Sequence, residues 1–301
     1  MPVGWSSSLS DTMKNRVNNQ IWIILPAILF FLSSCASTQQ RQSEQRGAKL
    51  YVNQVIAYLE KGEFDQAISD LDKAIESNPR DALAYNIRGM VYWKKGQFDQ
   101  AISDFSKTIQ INPRDASAYE HRALAYKEKG QNDHAISDYT KALEINPKKT
   151  ENYISRGIAY MEKMEFDKAI SDFNKVVEIN PSDASGYRFR GLTYRQKRQY
   201  DQAISDYTKA LEINPKDYTT YSHRGIAYYH KGQYDQAISD YTMALEINPN
   251  DDGAYYNRGV AYYSKEEYDK SWDDIKKAQD LGYKIPPEFL DRLRKASGRQ
   301  Q

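Results

Sequence analysis

An Asn-Pro step recurs at Pro79, Pro113, Pro147, Pro181, Pro215 and Pro249, always 34 residues after the last. Neither a lone helix nor a lone strand repeats on that length; a stacked supersecondary unit does. Alignment on the prolines gives seven ungapped units: 48–81, 82–115, 116–149, 150–183, 184–217, 218–251 and 252–285. Tyrosine fills the fourth place of all seven (Tyr51, Tyr85, Tyr119, Tyr153, Tyr187, Tyr221, Tyr255) and the eleventh place from Tyr58 through Tyr262. Alanine holds the twentieth place of six units, from Ala67 to Ala237.

Within a unit the apolar places 4, 8 and 11 share one face of a first helix. Glycine at place 15 (Gly62, Gly96, Gly130, Gly232) suits the left-handed residue that ends it. A second helix follows, as in DQAISDYTKALEIN at 201–214, and Asn-Pro ends it, because the residue before proline is pushed out of helical geometry. Glycine at place 8 (Gly89, Gly157, Gly191, Gly225, Gly259) is expected to let the two helices approach against the alanine at place 20. Each pair leaves an apolar face that only its neighbour can cover.

On these residues the chain resembles the tetratricopeptide repeat family across 48–285. The resemblance implies an all-α, right-handed superhelical solenoid of seven helix-turn-helix repeats whose first helices line a concave groove. Some units depart from the pattern. Met164, Arg198 and Glu266 replace the turn glycine and Asn132 replaces the aromatic at place 17, so those turns are expected to be locally looser. Ser271 and Tyr283 mark the fading of the repeat, and 286–301 reads as a cap helix and tail opened by Pro286 and Pro287.

Ahead of the repeats, Lys14 and Arg16 precede the uncharged run IWIILPAILFFL at 21–32. Its length suits a signal-peptide core of roughly 7–15 residues and falls short of the ~18 needed to span a bilayer. Leu32-Ser33-Ser34-Cys35 resembles the lipobox of bacterial lipoproteins, and Cys35 is the sole cysteine. The resemblance implies a signal peptide at 1–34, of ordinary shape if translation starts at Met13, and a lipid (a palmitate-type acyl anchor) on Cys35. Residues 36–47 then read as a polar tether. Ala36, where an inner-membrane lipoprotein of this class commonly carries aspartate, implies an outer-membrane address facing the periplasm. The alternative is an uncleaved anchor at 21–32 with the repeats facing the cytoplasm.

Lys and Arg number 42 against 41 Asp and Glu, so bulk charge gives no reason to expect nucleic acid. No glycine-rich phosphate loop occurs outside the repeat pattern. His223 and His230, seven apart on one helix, sit about 10.5 Å apart along its axis, too far to share a metal ion. No enzyme, cofactor or metal site is expected. Place 7 is arginine in six units and place 23 aspartate in all seven, which reads as an internal ion-pair ladder such as Arg88 with Asp104 and Arg156 with Asp172. Such pairs are worth at most about 1 kcal/mol where exposed.

What remains is binding. In this family places 2, 5, 9, 12 and 13 face the groove, and place 9 is apolar throughout (Ile56, Met90, Leu124, Ile158, Leu192, Ile226, Val260), which predicts an apolar floor and excludes the asparagine-based clamp for a terminal carboxylate. Unit 5 adds Arg188, Arg195, Lys197 and Arg198; units 6 and 7 add Tyr229, His230, Tyr256 and Tyr263; unit 2 adds Trp93. Arginine with aromatics is the usual composition of an interface hot spot. The expected role is a membrane-anchored scaffold that holds a protein partner, as a peptide or helix, through Trp93, Arg188, Arg195, Tyr229, His230, Tyr256 and Tyr263.

Overall fold

The structure, a computed structural model, describes residues 55, 57–58 and 61–299. Cys35, the signal segment and the tether lie outside the described residues. Among those residues there are fourteen α-helices and no strand, in two compact units divided after Gln131. The first holds α1 (Phe64–Ser77), α2 (Ala82–Lys94), α3 (Phe98–Ile111) and α4 (Ala116–Glu128). The second holds α5 (Asn132–Ile145), α6 (Thr150–Glu162), α7 (Phe166–Ile179), α8 (Ala184–Gln196), α9 (Tyr200–Ile213), α10 (Tyr218–His230), α11 (Tyr234–Ile247), α12 (Asp252–Ser264), α13 (Tyr268–Asp280) and α14 (Pro287–Ser297). Within each unit every helix packs on the next in sequence.

The Asn-Pro-x-Asp run joins one repeat to the next by three separate devices. Asn78, Asn112, Asn180, Asn214 and Asn248 cap their helices in an extended backbone (ψ 85 to 90°), as the following proline demands. Each asparagine Oδ1 also accepts from the N–H two residues on, closing an Asx turn. The aspartate that follows then caps the next helix: Asp81, Asp115, Asp183, Asp217 and Asp251 accept from its free N–H groups. Lys149 stands in that place once, and α6 starts with no side-chain cap.

Two expectations need correction. The turns lacking glycine are not loosened: Met164, Arg198 and Glu266 take φ of 59, 58 and 63°, beside 71 to 75° for Gly62, Gly96, Gly130 and Gly232. Packing on either side imposes the left-handed turn on side chains that disfavour it by about 1 kcal/mol. The glycine at place 8 faces a ring at place 24 rather than the alanine at place 20. A Cβ on Gly157 would lie 2.6 Å from Phe173 Cε1, and one on Gly89 2.7 Å from Phe105 Cε1. Gly191 and Gly225 meet Tyr207 and Tyr241 in the same way. Size is traded across this contact: Val55 sits where Leu71 replaces the ring, and Gly259 faces Ile275.

The arginine at place 7 reaches in two directions. It forms a two-point pair with the aspartate 16 residues later in its own repeat: Arg88 with Asp104, Arg156 with Asp172, Arg190 with Asp206, Arg224 with Asp240 and Arg258 with Asp274, all at 2.7 to 2.9 Å. A further nitrogen donates to the residue 16 earlier, on the second helix of the preceding repeat: Asp72, Ser106, Thr140, Asn174, Thr208 or Thr242. The tyrosine at place 4 flanks the guanidinium in every case, its ring centroid 5.5 to 5.8 Å away. At Arg88, Arg122 and Arg224 the tyrosine at place 11 does so as well, at 5.9 Å. These tyrosines are half-buried around the arginine rather than sunk in a core.

The pairs are therefore not the exposed kind, since Asp172 is 4% exposed. Burial pushes its carboxyl up, and the Arg156 hydrogen bond pulls it back. On a second, outer ladder, Lys95, Lys129, Lys163, Lys197, Lys231 and Lys265 each pair with an aspartate 30 residues earlier. Lys197 is thereby occupied and leaves the expected basic zone. Arg299 adds a rung of the same spacing with Asp269.

That spacing makes α14 the first helix of an eighth repeat, with Phe289 at place 4, Arg292 at place 7 and Leu293 at place 8. Phe289 and Leu293 are buried against Ile275, with Tyr256, Val260, Tyr263 and Trp272 around them.

Replacing Arg156 with methionine strands a buried carboxylate and is expected to cost about 3 kcal/mol. The double change Arg156→Met with Asp172→Leu is expected to lose much less. Urea unfolding of the two variants beside the parent measures both.

Candidate functional site

Within each unit, places 5, 9 and 12 lie on the first helices outside the arginine junction, and the side chains there differ from repeat to repeat. The apolar floor expected at place 9 is closed along part of the array: Met90, Ile158 and Leu192 are 8, 7 and 6% exposed. Leu124, Ile226 and Val260 are only half-buried. In the second unit the floor therefore opens on α10 and α12.

In the first unit, Trp93 is half-buried against the core of α1, α2 and α3. Its Nε1 is sequestered without a hydrogen-bond partner.

In the second unit the expected residues divide into two groups. Tyr256 and Tyr263 belong with the last helix. Tyr256 stacks on Tyr283 at 4.6 Å and meets Phe289 edge-on at 5.9 Å; Tyr263 meets Phe289 at 5.4 Å and Tyr268 at 5.8 Å. Burial, first of all, raises the Tyr256 and Tyr283 hydroxyls above their ordinary value. Both tyrosines are pieces of the packing that seats α14.

Arg188, Arg195, Tyr229 and His230 form the other group, spread over α8 and α10. Arg188 lies 3.7 Å from Asp217 and its guanidinium covers the Phe189 ring at 4.5 Å. Tyr229 exchanges a hydrogen bond with Ser264 at 3.1 Å. His230, exposed, stacks on Tyr200 at 5.3 Å and meets Tyr229 edge-on. Arg195 has no carboxylate within 4 Å among the described residues, and its Nε is sequestered without a partner.

Two residues join this group that sequence reasoning did not select. Tyr207 on α9 is fully buried beneath Gly191, its hydroxyl unpartnered. Burial pushes that hydroxyl up to about 12, against the charge and hydrogen-bonding approach of Arg195 and the charge of Arg188. His223 on α10 lies 6.0 Å from the Tyr207 ring, with Nδ1 buried and unpartnered. Burial, then Arg195 and Arg188, push it down to about 3, so the imidazole is neutral. Burial and Arg195 lower His230 as well. Tyrosine at place 24 is a weak signal, because Tyr139 and Tyr241 share it while Phe105 and Phe173 serve the same packing without a hydroxyl.

Among the described residues no group of three or more histidine, cysteine, aspartate or glutamate side chains could hold a metal ion, and no helix is long and apolar enough to cross a membrane. The arrangement offers apolar and aromatic contact beside Arg195, with Arg198 also acting on His230.

Comparison with known families places tetratricopeptide-repeat models on 52–116, 116–149, 151–183, 191–232 and 225–265, together more than half of the chain. No curated protein matches the chain. Among solved structures, a tetratricopeptide repeat protein from Parabacteroides merdae superposes with a TM-score of 0.62 at 22% identity, over 83% of this chain and 98% of its own. The C-terminal part of a repeat-containing protein from Cytophaga hutchinsonii gives 0.65 at 20% identity, over 79% and 98%. YrrB, described as a TPR protein with an unusual peptide-binding site, gives 0.51 at 26% identity, over 64% and 97%. The first two likenesses concern the fold alone.

His223 is neutral in the folded protein, whereas a histidine in the unfolded chain takes a proton near pH 6.5. Below that value the unfolded state binds the extra proton, so stability falls as pH drops from about 6.5 toward 3. At pH 5 this contribution amounts to about 2 kcal/mol. Urea titrations at pH 7 and pH 5 are expected to separate for the parent and to draw together for His223→Gln.

Proposed function

Because the chain belongs to the tetratricopeptide repeat family, we propose that it is a scaffold whose first-helix stripe holds an extended peptide or a partner helix, centred on α8 and α10. The observation that carries this reading is the cluster of Arg195, Tyr207 and His223, where polar atoms are buried without partners beside the half-buried Ile226 and Tyr229. Buried polar groups left unsatisfied are costly, and a bound chain supplies both hydrogen bonds and apolar cover. The peptide-binding description of YrrB supports the same use of this fold.

The scaffold works, in this reading, at a bacterial envelope. Cys35 carries the lipid, residues 36–47 tether the repeats, and Ala36 sends the protein to the outer membrane, facing the periplasm. The basis is the lipobox resemblance of Leu32-Ser33-Ser34-Cys35. The protein performs no chemistry on its partner.

Metabolic labelling with a fatty acid tests the anchor. The parent is expected to incorporate label and fractionate with membranes, and Cys35→Ser to do neither. An unlabelled parent that stays with the membrane would instead favour an uncleaved segment at 21–32.

The groove is tested by crosslinking in the native cell. Tyr229→Ala with His230→Ala spares the Tyr256 and Tyr263 packing around α14. The pair is expected to lower recovery of crosslinked partners about tenfold, the scale of one hot-spot residue, with circular dichroism unchanged. Full partner recovery with both side chains removed would refute the site.

A further inference from the structure

Of the cations on α6, α8, α10 and α12, Arg195 is placed unlike the others. Arg156, Arg190, Arg224 and Arg258 are each held by an aspartate of their own repeat, and Arg188 faces Asp217. Arg195 acts on four titratable neighbours, Tyr207, His223, His230 and Tyr241, and none of them carries a negative charge that would answer it. Both histidines are held toward the neutral form and Tyr207 stays protonated. With Arg188 and Asp217 compensating one another, Arg195 and, beside His230, Arg198 leave the neighbourhood net positive. Arg195 is half-buried, and its sequestered Nε–H is left without the partner that a bound group could supply.

We propose that Arg195, with the Tyr207 hydroxyl and His223 behind it, receives a single carboxylate from an acidic peptide whose flanking side chains are apolar. The inference rests on the groove reading above and specifies the chemistry of its occupant. A carboxylate monoanion gives up less hydration beside the buried Tyr207 and His223 atoms than a phosphate, which carries −1.5 to −2 near neutrality. An arginine fork accepts a carboxylate in its plane through two N–H donors. Hydroxyl and imidazole N–H donors can turn toward the same oxygens once the guanidinium is drawn to them. Ile226 and Tyr229 on α10, both half-buried, supply the apolar contact beside it. Leaving the carboxylate off would cost the complex a charge-assisted hydrogen bond, on the order of tenfold in affinity.

The test uses the folded chain and four short peptides, each N-acetylated. One is Leu-Ala-Glu-Ala-Leu amide, the second replaces Glu by Gln, the third replaces it by phosphoserine, and the fourth is the Gln peptide with a free terminal carboxylate. Calorimetry gives the affinities, and the nitrogen-15 signal of the Arg195 Nε–H reports contact. The Glu peptide is expected to bind about tenfold more tightly than the Gln amide and to move that signal. Arg195→Gln is expected to erase the tenfold difference between the Glu peptide and the Gln amide, with circular dichroism still helical. A free-terminus peptide equal to the Glu peptide supports the proposal and assigns the carboxylate to a chain end; a weaker one supports it and assigns the carboxylate to a side chain. Equal binding of the Glu peptide and the Gln amide, a preference surviving in Arg195→Gln, or tighter binding of the phosphoserine peptide overturns it. If no peptide binds, the carboxylate inference also falls, and the groove reading stands or falls on the Tyr229 and His230 crosslinking.

Discussion

The arginine at place 7 is the interaction on which the rest of the array depends. One planar side chain with several fixed donors joins three helices: its own, the second helix of its repeat, and the second helix of the repeat before. Lysine could not replace it, because a single ammonium lacks the fork that holds the aspartate at two points while a further N–H reaches backward. The flanking tyrosines keep the fork in place and partly screen it from water. Four repeated places, 4, 7, 11 and 23, thus serve one junction. Inter-helix geometry within a repeat and stacking between repeats are set by the same group, so a repeat cannot shift against its neighbour without breaking its own hairpin.

The same junction accounts for the change of pattern at α14. Place 25, which accepts from the arginine of the following repeat in every earlier case, is Lys276 in the seventh repeat. Arg292 occupies place 7 of the next helix and would meet that lysine instead of an acceptor; its guanidinium lies over Phe289. Packing replaces the polar stitch. Leu293 occupies the place where glycine elsewhere admits a ring, and together with Phe289 it fills the space against Ile275. The aromatic residues Tyr256 and Tyr263 close over this contact, which removes them from the variable stripe and gives them a structural task.

Most of the helical architecture was legible in the residues because its causes are local. The Asn-Pro-x-Asp run states where one helix stops and the next starts, and periodic apolar places state which faces meet. What stayed hidden depends on which repeats touch. The backward arm of the arginine links residues 16 apart in the direction opposite to the obvious pair, and its acceptor is aspartate, serine, asparagine or threonine, so no single letter marks it. The left-handed turns at Met164, Arg198 and Glu266 were hidden for a related reason: the fold imposes a backbone that those side chains do not prefer. For the candidate site, Arg195, Tyr229 and His230 stood out as departures from the repeat. Tyr207 and His223 did not, since a ring at place 24 reads as core and a lone histidine reads as incidental.

That difference bears on where recognition can arise in such an array. The junction occupies places 4, 7, 11, 23 and 25, and the ring contact occupies 8 and 24, so substitution at any of them costs stability. Places 5, 9 and 12 lie on the same helices but outside the junction, and side chains as unlike as Trp93, Arg195 and Tyr229 all occupy place 12. Tyr207 lies on the boundary between the two sets. Its ring does the packing work of place 24, while its hydroxyl, absent from Phe105 and Phe173, faces the charge of Arg195. In the proposed groove, a single oxygen atom on a core position draws an interior contact into the recognition surface, because the first helix of the same repeat brings a cation that no carboxylate holds.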